Sequence, residues 1–302
     1  MKIVSLVPFA SDLFTRMGKA EVLVEISPEL SRLRRVEEDT YQGSEKSEGL
    51  GRLKAGLFDS ELDVDCLLSM RPSVIITKVQ REEPDSFISW AEAFVEQHYD
   101  CALRIYHVDI KTIGDMYDTI ERLGAIGSFA LDARQLVAKI KAQIMQWAQA
   151  FYDRSKGKKV MVLTGIEPFC LAPLWTADIV SSLGAKPLQS ASGARLSGEV
   201  SWSDITLLAP DVIIVAPFGA TLSESVRTLP LLQRLPGWDE MPAVKRGEVG
   251  FCRGDSFEMG GSFLQGTAIL VSLIAGLDSG YITPRDVYYK LRFVELQRHR
   301  FL

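Results

Sequence analysis

One uninterrupted stretch, Ala130 to Lys156 (ALDARQLVAKIKAQIMQWAQAFYDRSK), limits what this chain can fold into more than any other part of it. Its apolar residues Leu136, Ile140, Ile144, Trp147 and Phe151 recur at steps of three and four. Lys139, Lys141, Gln143, Gln146 and Asp153 fill the positions between. That period fits a helix and not a strand. Neither Gly nor Pro interrupts it, and Asp132 stands where a first-turn carboxylate favours the helix N-terminus. At 1.5 Å per residue the helix would run roughly 40 Å, the span of a small domain. The chain on either side reads as α/β. The stretch is therefore expected to be a rigid spine, with an α/β lobe over 1–128, the linking helix over 129–156 and a second α/β lobe over 157–302.

In the first lobe the pattern predicts a buried strand Lys2–Val7, a turn Pro8-Phe9-Ala10-Ser11 and a helix Asp12–Met17 capped by Ser11 and closed at Gly18. A short strand Val22–Ile26 and a charged, loop-rich stretch Arg32–Glu48 follow. Next come a helix Leu62–Met70, a break at Arg71-Pro72 and a β-branched strand Val74–Thr77. A helix Glu83–His98, a strand Ala102–Val108 and a helix Ile113–Leu123 complete the lobe. Such alternation implies a mostly parallel sheet covered on both faces, in which ligands meet the loops beyond the strands' carboxyl ends. Phe9, Ser27, Phe58 and Lys78 fall on that rim. The competing reading is local core packing for the two rings and plain solvation for the lysine.

The second lobe repeats the plan. It should open with a strand Lys159–Thr164, turn at Pro168 and continue through a helix Trp175–Leu183 that stops at Gly184. Ser201 and Trp202 lead into a helix Ser203–Leu208, Pro210 stops it, and Asp211–Val215 is a strand. A short strand to Cys252, a polar and aromatic turn Gly254–Glu258 and helices Ser262–Ala275 and Pro284–Gln297 end the chain. Residues 64–76 and 203–214 echo each other as short helix, proline stop and β-branched strand, which favours two related lobes over one large sheet.

With 302 residues there is room for two domains of about 150. A net charge of −5 and the lack of a basic run leave nothing to attract nucleic acid. No apolar stretch of about 18 residues is present to span a bilayer. Met1–Val7 is too short for a signal-peptide core, so the expected location is periplasmic if a leader has been removed and cytoplasmic if the chain is native as it stands. Cys66, Cys101, Cys170 and Cys252 form no CxxC and read as buried free thiols. Three scattered histidines (His98, His107, His299) offer no ligand spacing for a protein-built metal site, and no cofactor is expected to be intrinsic. GxSxG, P-loop and strand-linked GxGxxG motifs are absent, so the chain reads as a binding protein rather than an enzyme.

Four blocks in order carry a resemblance: Ile3-Val4-Ser5-Leu6-Val7-Pro8; Leu62 to Ile76; Glu199-Val200-Ser201 to Val215; and Leu235-Pro236-Gly237-Trp238 through Glu248-Val249 to Gly254-Asp255. They are similar to the class III periplasmic substrate-binding proteins of ABC importers for cobalamin, siderophores and haem, and most of all to the vitamin B12-binding branch. The resemblance implies two Rossmann-like α/β lobes joined by one long backbone helix, with a metal chelate held in the cleft between them. It also implies roles for particular residues. Phe169, after Glu167-Pro168, matches a ring-contacting aromatic, and Asp255, with Phe257 and Glu258 behind it, matches the turn that meets the corrin amides. Ser27, Lys78 and Ser197 stand where the relatives carry aromatics, so Phe9, Phe58 and Phe218 would have to supply the missing faces. Asp65 and Asp204 stand at or beside the acids with which those relatives dock their permease.

The chemistry agrees with such a ligand. Cobalamin is a broad, largely apolar macrocycle edged by amides, and it calls for aromatic faces with a few polar groups. Phe9, Phe58, Phe169, Phe218 and Phe257, edged by Lys78, Glu167 and Asp255, supply those groups. An anionic ferric siderophore would prefer a basic cleft, and haem would want an axial His or Tyr. Both stay open as alternatives, as does a cytoplasmic protein that handles or modifies a corrinoid.

Overall fold

A computed structural model describes residues 1–5, 7–24, 53–55, 60–62, 71–78, 104–188, 198–257, 263–277 and 288–290. The chain divides into two units: residues 1–110 with 119–133, and residues 111–118 with 134–302.

The first unit is built on four parallel strands: β1 (Ile3–Ser5), β2 (Leu23–Val24), and, beyond the short antiparallel pair β3 (Leu53–Ala55) and β4 (Ser60–Leu62), β5 (Val74–Lys78) and β6 (Arg104–Val108). They lie in the order β2-β1-β5-β6, with Ile3 opposite both Leu23 and Val74 and Val74 opposite Arg104. Strand β5 is central and takes the β-branched run Val74-Ile75-Ile76-Thr77, whose side chains are all buried, as a strand covered on both faces requires. Helix α1 (Pro8–Arg16) begins four residues earlier than expected. Proline at the first helical position has its φ already set and lacks only an N–H that would find no partner there. Val7 is thus the N-cap, and Ser11 lies inside the first turn with its hydroxyl 3.5 Å from the Val7 carbonyl instead of capping. Phe14 of α1 meets Phe129 edge-on at 5.0 Å. Leu62, expected to start a helix, ends β4, and the helix expected over 83–98 lies outside the described residues.

Helices α2 (Ile113–Ile126) and α3 (Ala130–Ser155) follow. Asp115 caps the start of α2: its carboxylate accepts from the Thr112 N–H at 2.8 Å and the Lys111 N–H at 3.1 Å, while Thr112 Oγ1 accepts from the Asp115 N–H. The 26 residues of α3 match the expected span to within a residue, and Val137, Ile140 and Ile144 form its buried face.

The second unit carries strands β7 (Lys159–Ile166), β8 (Phe169–Leu171), β9 (Lys186–Pro187), β10 (Val212–Val215), β11 (Val249–Cys252) and β12 (Tyr288–Lys290). The order is β12-β11-β10-β7-β8, with β9 beside the start of β7; β9, β7, β10 and β11 run parallel, and the edges β8 and β12 antiparallel. Helices α4 (Leu174–Ser182), α5 (Trp202–Leu208), α6 (Leu222–Arg227), α7 (Leu229–Gln233), α8 (Pro242–Arg246) and α9 (Phe263–Ile274) cover it. Met161, Leu163, Ile213, Val215 and Phe251 point to one face and pack with Ile205, Leu232 and Trp238. Alternation sends Val160 and Val162 to the other face, towards α4, while Gly250 lies against Leu273 of α9. The expected terminal helix Pro284–Gln297 is corrected: Tyr288–Lys290 within it is a strand, paired Gly250 to Lys290 and Cys252 to Tyr288. The open edge of β11 and the hydrogen bond from the Tyr288 hydroxyl to the Leu277 carbonyl, 2.8 Å, outweigh the local helical period.

Candidate functional site

The carboxyl ends of β7, β10 and β11 leave the second unit's sheet on one rim, and three loops grow from it. After β7 a two-residue turn, Glu167 and Pro168 joined by a cis peptide, reverses the chain into β8, and both residues are exposed. Phe169 is the first residue of β8 and pairs with Ile166. Its carbonyl accepts from the Val200 N–H at 2.9 Å, and the Leu171 N–H reaches the Gly198 carbonyl at 3.1 Å, so the segment entering α5 is tied alongside. This brings the half-buried Phe169 ring 5.4 Å from Trp202, which stacks on Trp238 at 6.2 Å. Trp202 Nε1 donates to the Pro236 carbonyl at 2.8 Å, which fixes the middle ring of the ladder.

After β10 the chain continues along β7, with Ala216 N–H on the Leu163 carbonyl at 2.8 Å and Phe218 N–H on the Thr164 carbonyl at 2.9 Å. It then turns at Gly219 (φ 71°), leaving Phe218 51% exposed. After β11 a 3-10 turn, Gly254–Phe257, closes against this loop through a Gly254 N–H bond to the Ala220 carbonyl, 2.8 Å. Glycine is required there, because a Cβ on residue 254 would stand 2.0 Å from the Pro217 carbonyl oxygen. Arg253 and Asp255 form an ion pair, with Nε 3.1 Å from Oδ1.

Four of the expected site residues thus sit on one rim: Glu167 in the turn after β7, Phe169 at the start of β8, Phe218 in the loop after β10 and Asp255 in the turn after β11. Phe257 lies beneath it, 1% exposed, 6.3 Å from Trp175, which in turn meets Phe263 at 5.0 Å. In the first unit Phe9 is 7% exposed in the first turn of α1. Of Lys78 the structure describes only the backbone, at the end of β5; Ser27, Phe58, Asp65 and Ser197 lie outside the described residues. Asp204 is part of a cap: its carboxylate accepts from the Ser201 hydroxyl at 2.7 Å, and Ser201 Oγ accepts from the Asp204 N–H at 3.1 Å. Sequence reasoning passed over Arg253, though its place beside Gly254-Asp255 was the available signal. Cys170 and Cys252 are free thiols, both pushed up in pKa, chiefly by burial. Among the described residues no group of three His, Cys, Asp or Glu side chains is placed to hold a metal, and no helix is long and apolar enough to cross a membrane.

Residues 38–255 match the sequence profile of the family described as periplasmic binding protein. The chain belongs to that family. It is a substrate-binding protein of the class III ABC-importer type, a group of non-enzymatic transporter components. An uncharacterised ABC transporter substrate-binding lipoprotein of Bacillus subtilis is 23% identical over 259 residues, 82% of this chain and 71% of that one. The periplasmic vitamin B12-binding protein of Vibrio cholerae superposes with a TM-score of 0.60 at 16% identity, covering 90% of this chain and 96% of that one. A periplasmic haem-binding protein from Pseudomonas aeruginosa does so with a TM-score of 0.62 at 15% identity, covering 91% and 92%. At these identities the likeness to the periplasmic binding proteins of known structure speaks for the fold alone.

Proposed function

We propose that this periplasmic binding protein carries a corrinoid, with cobalamin as the ligand, to an ABC permease. The charge balance of the second unit's rim is the observation that supports the reading. Among the described residues this rim exposes the Phe218 ring and the Glu167 carboxylate, and its Arg253 guanidinium is already engaged with Asp255. A haem with its carboxylates, or an anionic ferric chelate, would lose hydration on this rim and find, among the described residues of its loops, a guanidinium already paired with a carboxylate. A macrocycle edged by neutral amides loses nothing of the kind and gains the ring. The lobes 1–128 and 157–302 about the helix 129–156, an extracytoplasmic location, and permease docking through Asp65 and Asp204 belong to the same proposal. The lipoprotein relative supports the location.

The test is titration of the purified chain with cyanocobalamin, followed by tryptophan fluorescence and by corrin absorption co-eluting in gel filtration. Saturable binding is expected. Phe218→Ala should weaken it about tenfold, the worth of roughly half a buried phenylalanine. A protein peak free of corrin absorption, or a Soret band with haemin and no response to cyanocobalamin, would overturn the reading.

A further inference from the structure

Helix α3 has a second stripe, opposite the one that Val137, Ile140 and Ile144 bury. Ala138, Ala142, Met145, Gln149 and Tyr152 follow one another at steps of four and three, and every one is exposed, Met145 by 59% and Tyr152 by 44%. Four of the five are not charged or amide-bearing, and all belong to the second unit. Steps of four and three are the spacing of a two-helix seam, and apolar side chains left open to water along one offer a second helix a place to lie. We propose that it is covered by the same helix of a second copy of this chain, running antiparallel.

The spacing itself carries the symmetry. Residues 142 and 152, and likewise 145 and 149, are mirror positions about the level of residue 147. A two-fold axis at that level therefore sets Tyr152 against the partner's Ala142 and Met145 against the partner's Gln149, and the reverse. The Tyr152 ring lies against Gly184 of its own chain, with Lys156 Nζ, on the next seam position, 5.5 Å from its centroid; the side it leaves exposed meets the smallest side chain of the seam. The stem of Gln149 can lie along the Met145 thioether while its amide stays at the open edge. A single polar position of this kind lowers the stability of a coil and fixes its register.

Charge selects this arrangement over the others. In an antiparallel pair the same flank of each helix faces itself. The flank beside this seam carries Lys139 and Asp153, and the axis sets Lys139 within two residues, about 3 Å of rise, of the partner's Asp153. The pair forms twice, once on each side of the axis. With the axis half a heptad nearer the start of the helix, Asp132 would fall beside the partner's Asp153 instead. A parallel pair would bring Arg134 beside the partner's Lys139. Both alternatives set like charges together, so the sequence complements itself in one register, which argues for a second copy over an unrelated helix. The overlap covers about 27 Å of helix, and a strip of that length and one helix diameter (~10 Å) wide on each partner buries roughly 600 Å², well short of the ~1,600 Å² of a standard interface, so the dimer is weak.

Sedimentation equilibrium on the full chain, from about 5 µM to about 1 mM, tests this in the range that a contact of this size occupies. Reversible dimerisation of the 33.5 kDa chain is expected at the upper end. Met145→Glu removes the largest apolar contact beside the axis and sets two carboxylates about one turn apart across it, so it should abolish the dimer. Lys139→Glu and Asp153→Lys should each weaken the dimer several-fold, and the two together should restore it, because the pairing is then re-formed with its signs exchanged. All three positions are exposed, and far-UV circular dichroism checks that a monomer is a folded one. A single 33.5 kDa species at every concentration would overturn the proposal. So would a dimer indifferent to Met145→Glu, or a double variant no better than either single one.

Discussion

Gly254 is where two rim loops touch, and replacing it by alanine separates the demands of space from those of backbone conformation. The new Cβ would lie 2.0 Å from the Pro217 carbonyl oxygen, 2.8 Å from Gly219 N and 2.9 Å from Ala220 N. All three are backbone atoms, so no side-chain rotation relieves them, and the loops must part by about an ångström before the contact becomes tolerable. That movement stretches the 2.8 Å bond from the Gly254 N–H to the Ala220 carbonyl. Overpacking of this kind costs about 1–3 kcal/mol and the weakened bond about 1 more, so we expect a loss of roughly 2–4 kcal/mol. Gly219→Ala is the matched control. Nothing lies within 4 Å of a Cβ there, but its φ of +71° makes any side chain strained, at about 1 kcal/mol. Urea unfolding followed by tryptophan fluorescence reads both, since Trp147, Trp175, Trp202 and Trp238, four of the five tryptophans, belong to this unit. The alanine at 254 should also weaken corrinoid binding, because the displaced loops carry Phe218 and Asp255. If Gly254→Ala proves no more destabilising than Gly219→Ala, the close approach is not a constraint on the rim and the reasoning fails.

Three further outcomes follow from the geometry. Ser201→Ala should cost about 1 kcal/mol by removing the acceptor of the Asp204 N–H at the start of α5, measured as a shift of the same urea midpoint. The hydrogen bond from the Thr112 N–H, ahead of the other contacts, holds the Asp115 carboxyl below its ordinary 3.8. Its contribution to stability is therefore complete above about pH 5 and is lost as pH falls through the lowered folded value, a loss that Asp115→Asn should not show in acid titration of stability. A maleimide should react with Cys170 slowly and with Cys252 only on unfolding, because burial both hides the Cys252 thiol and opposes its ionisation; peptide mapping of the native protein checks this.

Much of the fold was legible where a local pattern and a tertiary need coincide. Of the apolar stripe read along α3, Ile140 and Ile144 are buried and Leu136, Trp147 and Phe151 half-buried, with Val137 buried beside them, and the runs at 74–77 and 212–215 are short, β-branched and bounded by proline, which suits strands covered on both faces. Where the partner lies far off in sequence the local pattern misleads. Tyr288-Tyr289-Lys290 has a place in a helical period and becomes a strand only because β11 leaves an edge to pair. Phe169-Cys170-Leu171 is three residues after a proline turn, too short to signal a strand until the bulged pairing with β7 is formed. The site shows the same division. Five phenylalanines were equivalent candidates in the sequence, yet packing separates Phe218, out in water, from Phe257, pressed on Trp175, and nothing in either ring's neighbours along the chain decides which is which.

Four cations of the second unit, Lys158, Lys159, Arg246 and Lys290, gather at the other end of its sheet, and that bears on the ligand. At the amino end, Lys158 Nζ donates to the Ile274 carbonyl at 2.7 Å and Lys159 Nζ to the Leu208 carbonyl at 2.8 Å, the last residues of α9 and α5. Arg246 pairs with Asp211 at 2.8 Å and Lys290 with Glu248 at 2.8 Å. These charges stabilise helix ends and strand entries, and they stand a strand's length from the rim that carries Phe218. Lys158→Met should therefore leave corrinoid affinity unchanged while it alters stability. Two effects oppose each other: the Ile274 carbonyl loses a charged donor, worth about 1.5–3 kcal/mol, and the desolvation of the ammonium is relieved. A net loss of about 1 kcal/mol is expected. Burial, more than the neighbouring charges, holds the Lys158 amine below its ordinary 10.5. The unfolded chain thus binds the extra proton between the folded value and 10.5, so wild-type stability should rise with pH across that window, and the methionine variant should lack the rise. A variant with the wild-type alkaline profile, or with weakened ligand binding, would show that Lys158 does not belong to the stabilising end of the sheet.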